Sequence, residues 1–208
     1  MNENPKRAKI IEASKQVFNE VGIGAATMHI IADASGISRR TMYRYFESKE
    51  DLAYKVLLKY MNEWNQAQED MYSQLEGLGI EKLEDHLYAL LDYMIENRHM
   101  IRFMGDFDYY FRDSFDYVVE EKLGENLNRS FHGSDSIFHE IIEIGLNDGS
   151  IQIKEDIDLL VATITNVLWI FGQGIALREE HIRIDSSVEP TEMFKCQIRL
   201  YINSLRVE

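Results

Sequence analysis

Arg39 and Arg40 stand side by side just past a Gly36-Ile37-Ser38 turn, and Thr41, Tyr43, Arg44 and Lys49 follow closely. A guanidinium presents a planar fork that fits O6 and N7 of guanine, the commonest specific contact in a DNA major groove, worth about 1–3 kcal/mol of discrimination. Hydroxyls such as those of Tyr43 and Tyr45 suit phosphate oxygens, and so does a cation such as Lys49 at the start of a helix. Thr27 adds a hydroxyl at a second helix start. This is the chemistry of reading nucleic acid, not of making or breaking bonds. No Ser-His-Asp set or carboxylate pair stands out from the acidic background, so no catalytic residue is assigned and no enzyme is expected. His139 and Glu143, four apart, could share a metal, yet no second His-x-x-x-His pair and no cysteine pair completes a ligand set. No metal and no cofactor are expected.

Such side chains read bases only when a short helix carries them into the groove, and the flanking residues supply one. Asn4-Pro5 sets a cap residue before a proline at the first helical position. Ile10, Ser14, Val17, Phe18 and Val21 recur at helical steps, and Gly22 is placed to end that helix. Thr27 caps a short second helix, Met28 to Ser35, with Ile31 and Ala34 facing inward. Ser38 caps a third, Arg39 to Tyr45. Two short helices joined by a glycine-containing turn are the signature of a helix-turn-helix, and the small residues Ala32, Ala34, Ser35 and Gly36 let them cross closely. The second helix of such a unit meets base edges with its N-terminal residues, here Ser38, Arg39, Arg40 and Thr41. Ser48, three residues before Asp51, matches a capping box and starts a fourth helix near Lys49 that runs to about Met71.

Beyond Gly77 and Gly79, a stripe of Leu83, Leu87, Leu90, Leu91 and Met94 predicts a helix to about Asn97, and Phe103, Phe107 and Tyr110 continue at helical spacing. Further helices are predicted over Phe115 to Arg129 and Ser136 to Asn147, with His132-Gly133-Ser134 as the break between them. A long helix follows from about Asp156 to Glu180, and Pro190 starts the last. No alternating strand is visible. The class is all-α: a three-helix head over residues 1–48 and a larger helical domain over 49–208 for ligand binding and dimerisation.

Charge divides the chain the same way. Residues 1–60 hold ten Lys/Arg against seven Asp/Glu, a balance of +3, while the remainder accounts for the net −14 with a balance of −17. A mildly basic head can approach phosphate while an acidic body faces away. The single cysteine, Cys196, excludes an internal disulfide and fits a reducing cytoplasm. Leu159 to Leu177 carries no charge over nineteen positions, long enough to span a bilayer. Its Thr163, Thr165, Asn166 and Gln173, and its acidic flanks, favour instead a helix buried between its own core and a partner. No membrane is expected.

The stretch Thr27-Met28-His29-Ile30-Ile31-Ala32-Asp33-Ala34-Ser35-Gly36-Ile37-Ser38, with Thr41-Met42-Tyr43-Arg44-Tyr45-Phe46 and Ser48-Lys49-Glu50-Asp51-Leu52, resembles the N-terminal domain of the TetR family. Ser35 replaces a more usual alanine, and Arg40 stands where the family often has glycine or alanine. The resemblance implies a nine-helix fold, a dimer, and repression relieved by a small ligand. The expected function is thus a ligand-responsive, sequence-specific regulator that acts as a homodimer on a palindromic site in double-stranded DNA. Thr27, Ser38, Arg39, Arg40, Thr41, Tyr43, Arg44 and Lys49 are its DNA-binding residues. A small-molecule effector is expected in a pocket lined by Phe103, Phe107, Tyr110 and Trp169, with Asp106 attracting a cationic compound; the competing reading of that aromatic stripe is plain core. The dimer interface is assigned to Ile164, Leu168, Gly172, Ala176, Phe194, Ile198 and Tyr201 in the last two helices, Gly172 and Ala176 admitting a partner helix. The alternatives are a head controlled by a protein partner, or a helical binding protein whose head no longer binds DNA.

Overall fold

The computed structural model describes residues 4–113 and 124–207; over 124–134 and at position 186 it describes the backbone alone. Nine helices lie among the described residues: α1 (Pro5–Ala25), α2 (Met28–Ser35), α3 (Arg39–Met42), α4 (Lys49–Tyr72), α5 (Gly79–Glu96), α6 (Arg98–Phe111), α7 (Gly124–Asp148), α8 (Ile157–Ser186) and α9 (Pro190–Leu205). The β pairing among these residues is a lone bridge between Ile151 and Arg206. The fold is all-α.

The caps explain why the helices start where they do. The Asn4 carboxamide accepts from the Lys6 amide at 3.0 Å, Thr27 Oγ1 from the Ile30 amide at 3.2 Å, and Ser48 Oγ from the Asp51 amide at 3.1 Å. Each satisfies an amide that the first turn leaves without an intrahelical partner. Asp156 does the same for α8, accepting from the amides of Asp158 and Leu159.

The chain divides into two compact units. The first joins Met1–Glu63 to residues 102–130, and the second joins Trp64–Ile101 to Phe131–Glu208. The first unit takes in α4 as far as Glu63 and α6 from Arg102. Its core is aromatic. Phe103 meets Phe18 and Tyr60, with ring centroids 6.0 and 5.3 Å apart, and Tyr54 meets Phe107 and Phe111 at 5.5 and 4.9 Å. Ile10, Ser14, Val17 and Phe18 of α1 are buried as the periodicity predicts, whereas Val21, beside the Gly22 kink, is exposed. In α2 the inward residues are Ile31, Ala32 and Ser35; Ala34 faces out.

In the second unit α9 packs on both α5 and α8. The predicted break at His132-Gly133-Ser134 is absent, because α7 runs unbroken from Gly124 to Asp148. A lone interior glycine costs a helix about 1 kcal/mol, too little to end one without a proline to remove a donor. Residues 115–123 of the helix predicted over 115–129 lie outside the described residues.

The assigned dimer stripe is turned inward. Ile164, Leu168, Gly172, Phe194 and Ile198 are all buried within the single chain. A side chain at Gly172 would collide with the terminal methyl of Met94 on α5. Ala176 lines the same cleft as Gly172, Met94 and Phe194, and Tyr201 is half-buried. The small residues admit a helix of the chain itself. The face of α8 left open carries Leu159, Val167, Ile170 and Leu177, with Leu200 open on α9.

Candidate nucleic-acid interface

The turn between α2 and α3 fixes the reading helix. Gly36 adopts left-handed φ 62°, which costs glycine nothing, and its amide and that of Ile37 close on the carbonyls of Asp33 and Ala32. Ser38 then caps α3 through the Thr41 amide, at 3.4 Å, while its hydroxyl donates to Thr41 Oγ1 at 3.0 Å. The helix proper is a single turn, Arg39–Met42, and turn-type hydrogen bonds carry the chain on to Phe46. Met42 and Phe46 are buried and anchor this short segment to the head.

With the apolar side of α3 so anchored, its polar residues face out. Ser38, Arg39, Arg40, Tyr43 and Arg44 are exposed, Tyr43 by 55%, and Thr41 is partly so. Arg44 lies over the Tyr45 ring at 5.2 Å, and its hydrogen bond, partly opposed by burial, holds the Tyr45 phenol below its ordinary value. Thr27, His29, Arg39, Tyr43 and Lys49 border one shallow groove between the starts of α2 and α4. The helix starts that the sequence marks as phosphate-facing thus share an edge with the reading helix.

Lys49 stands at that edge but is engaged. Its Nζ donates to the carbonyls of Ile23, Gly24 and Ala26 at 2.9, 3.0 and 3.2 Å. An ammonium has three donors, and each meets a carbonyl of the α1–α2 corner, so none is left for phosphate.

The expected effector residues are divided between the two units. Phe103 and Phe107 are 2% and 1% exposed in the core of the first unit, which is the plain-core reading of that stripe. Tyr110 donates its hydroxyl to Glu50 Oε1 at 2.9 Å; burial, then the Glu50 carboxylate, hold the phenol above its ordinary value and keep it a donor. Asp106 accepts from the Ile23 amide at 2.6 Å, so it faces the backbone of α1. Trp169 belongs to the second unit, where its ring meets that of Trp64 edge-on at 5.3 Å and Trp64 in turn meets Tyr93 at 5.6 Å.

Residues 10–56 match the model of the bacterial regulatory proteins of the tetR family. The match falls on the helix-turn-helix head, α1 to the start of α4. The HTH-type transcriptional repressor KstR2 of Rhodococcus jostii is 24% identical to this chain over 175 residues, 79% of this chain and 77% of that protein. An HTH-type transcriptional regulator of Staphylococcus aureus is 23% identical over 186 residues, 86% of each chain. Among solved structures, the fatty acid degradation regulator FadR of Bacillus halodurans superposes with TM-score 0.71 at 21% identity, covering 100% of both chains. FadR of Bacillus subtilis in complex with stearoyl-CoA gives 0.68 at 18% identity, over 94% of this chain and 97% of that one. At these identities the structures share the fold. Ser38 to Arg44 lie within the matched range.

Proposed function

We propose that this protein is a ligand-responsive repressor of the TetR family that binds a palindromic DNA operator as a homodimer. The observation that carries the reading is the outward presentation of Ser38, Arg39, Arg40, Tyr43 and Arg44 by a helix whose own core contacts hold it in place. Arg39 and Arg40 read base edges; Thr27, Thr41, Tyr43 and Arg44 hold phosphate. Repression is supported by the name of the Rhodococcus relative, a transcriptional repressor, and a small effector by the stearoyl-CoA held in the Bacillus subtilis structure.

The second subunit covers the open face of α8 and α9. Leu159, Val167, Ile170 and Leu177 fall at helical spacing, Ile170 being 65% and Leu177 51% exposed, and a side chain at Gly174 would meet open space. By length and composition α8 could cross a membrane, with 28% of its most apolar stretch buried. Two such faces paired about a two-fold axis make a four-helix bundle and hide that surface. The protein is then cytoplasmic. A two-fold dimer reads half-sites about one helical turn apart, roughly 34–36 Å, or a multiple of it.

We place the effector in the second unit, beside Trp169. Both tryptophans of the chain, Trp64 and Trp169, pack there against each other, so their fluorescence reports on binding. The test has two steps. The pure protein is incubated with random DNA fragments and the retained DNA is sequenced and footprinted. The complex is then titrated with stearoyl-CoA and, separately, with an aromatic cation, following fluorescence and release of DNA. A palindromic footprint, and release that accompanies a fluorescence change, support the reading; an asymmetric footprint from a monomer, or no retained DNA, overturns it.

A further inference from the structure

The corner between α1 and α2 is held by side chains from two other helices. Gly22 leaves helical geometry at φ 77°, ψ 162°, and the next amide, that of Ile23, donates to Asp106 Oδ2 at 2.6 Å across 83 positions of sequence. A break in a helix leaves backbone groups to be satisfied elsewhere, and here an α6 carboxylate does it. A side chain at Gly22 would come within 3.3 Å of that carboxylate, so Asp106 lies directly on the bend. Lys49, at the start of α4, takes the carbonyls of the same corner, and the Tyr110 ring of α6 lies 5.1 Å from its ammonium. The residue that follows this corner is Thr27, the cap of α2.

We propose that Asp106 and Lys49 are positioning residues for DNA binding: from α6 and α4 they clamp the α1–α2 corner, and so set where the N-terminus of α2 and Thr27 meet the operator, without touching DNA themselves. The inference rests on the DNA-binding reading above, and its test separates the two.

Wild-type protein and the variants Lys49→Met, Asp106→Ala and Asp106→Asn are compared on the operator fragment that the wild type selects, over a series of salt concentrations. Thermal unfolding confirms that each is folded, and amide hydrogen exchange at Ile23 is followed by NMR without DNA. Lys49→Met and Asp106→Ala each weaken operator binding about tenfold, the loss expected when a hydrogen bond to a charged group is removed, with the salt slope of the wild type. Asp106→Asn keeps an oxygen acceptor and restores most of the affinity. Exchange at Ile23 rises about tenfold in Asp106→Ala and much less in Asp106→Asn. Should Asp106→Ala not fold, Asp106→Ser removes the reach of the carboxylate with a smaller loss of polarity and takes its place. A salt slope shallower by about 0.9 per subunit in Lys49→Met identifies a phosphate contact and overturns the role given to Lys49. Unchanged operator affinity in folded Asp106→Ala overturns the role given to Asp106. A wild type that retains no DNA overturns the DNA-binding reading itself, and the clamp's role in it, before any variant is compared.

Discussion

Gly172 of α8 faces Met94 of α5 so closely that a side chain at Gly172 would run into the methionine's terminal methyl. The contact lies within one chain, so added bulk there acts on the subunit's own core. Gly172→Leu is expected to lower the stability of the subunit by about 1–3 kcal/mol through overpacking. Ile170→Asp on the open face should leave the subunit folded and dissociate the proposed dimer instead. Sedimentation paired with thermal unfolding checks both. A Gly172→Leu protein of wild-type stability that sediments as a monomer would return Gly172 to the interface.

Arg39→Ala and Arg40→Ala are each expected to relax base preference at one position of the half-site, by about 1–3 kcal/mol, while binding to random DNA changes little. Competition binding with single-base operator variants measures it. Equal losses on specific and random DNA would mean that the arginines hold phosphate only.

Phe107 is 1% exposed and edge-on to Tyr54 with its centroid 5.5 Å away. Phe107→Ala should therefore cost about 3–5 kcal/mol of stability, the range for emptying a buried aromatic site. Denaturant unfolding reads the loss. A near-neutral result, with the response to effector dulled, would make Phe107 part of a ligand pocket.

His86 is fully buried, with neither ring nitrogen hydrogen-bonded among the described residues, and its ring meets Phe138 edge-on at 5.3 Å. Burial pushes its pKa down from 6.5 to about 4. The unfolded chain therefore binds the proton first. Stability from this group is complete above pH 6.5 and is lost as pH falls towards 4, by about 3 kcal/mol over that window. His86→Leu should flatten the fall in stability between pH 6.5 and 4, relative to the wild type, when unfolding is measured across that range. An unchanged slope would show that the imidazole is hydrated or paired in solution.

What the sequence determined by itself is local. Asn4, Thr27, Ser38 and Ser48 each cap the helix that their position marks, and the exposure of Arg39 and Arg40 follows from burying Met42 and Phe46 beside them. These features depend on neighbours a few residues apart, so residue type and spacing suffice. The inward face of α8 was not legible in that way. The helix is apolar nearly all round, so its periodicity fits either Ile164, Leu168 and Gly172 or Val167, Ile170 and Gly174 as the buried side; contact with Met94 and Phe194 from α5 and α9 decides it. Lys49 and Asp106 are the same case for charge. At a helix start a lysine suits phosphate, and among aromatic residues an acid suits a cationic ligand, until the bend at Gly22 brings backbone carbonyls and an amide within their reach. Those partners are assembled by folding, from parts of the chain 26 and 83 residues away, and no short-range pattern carries them.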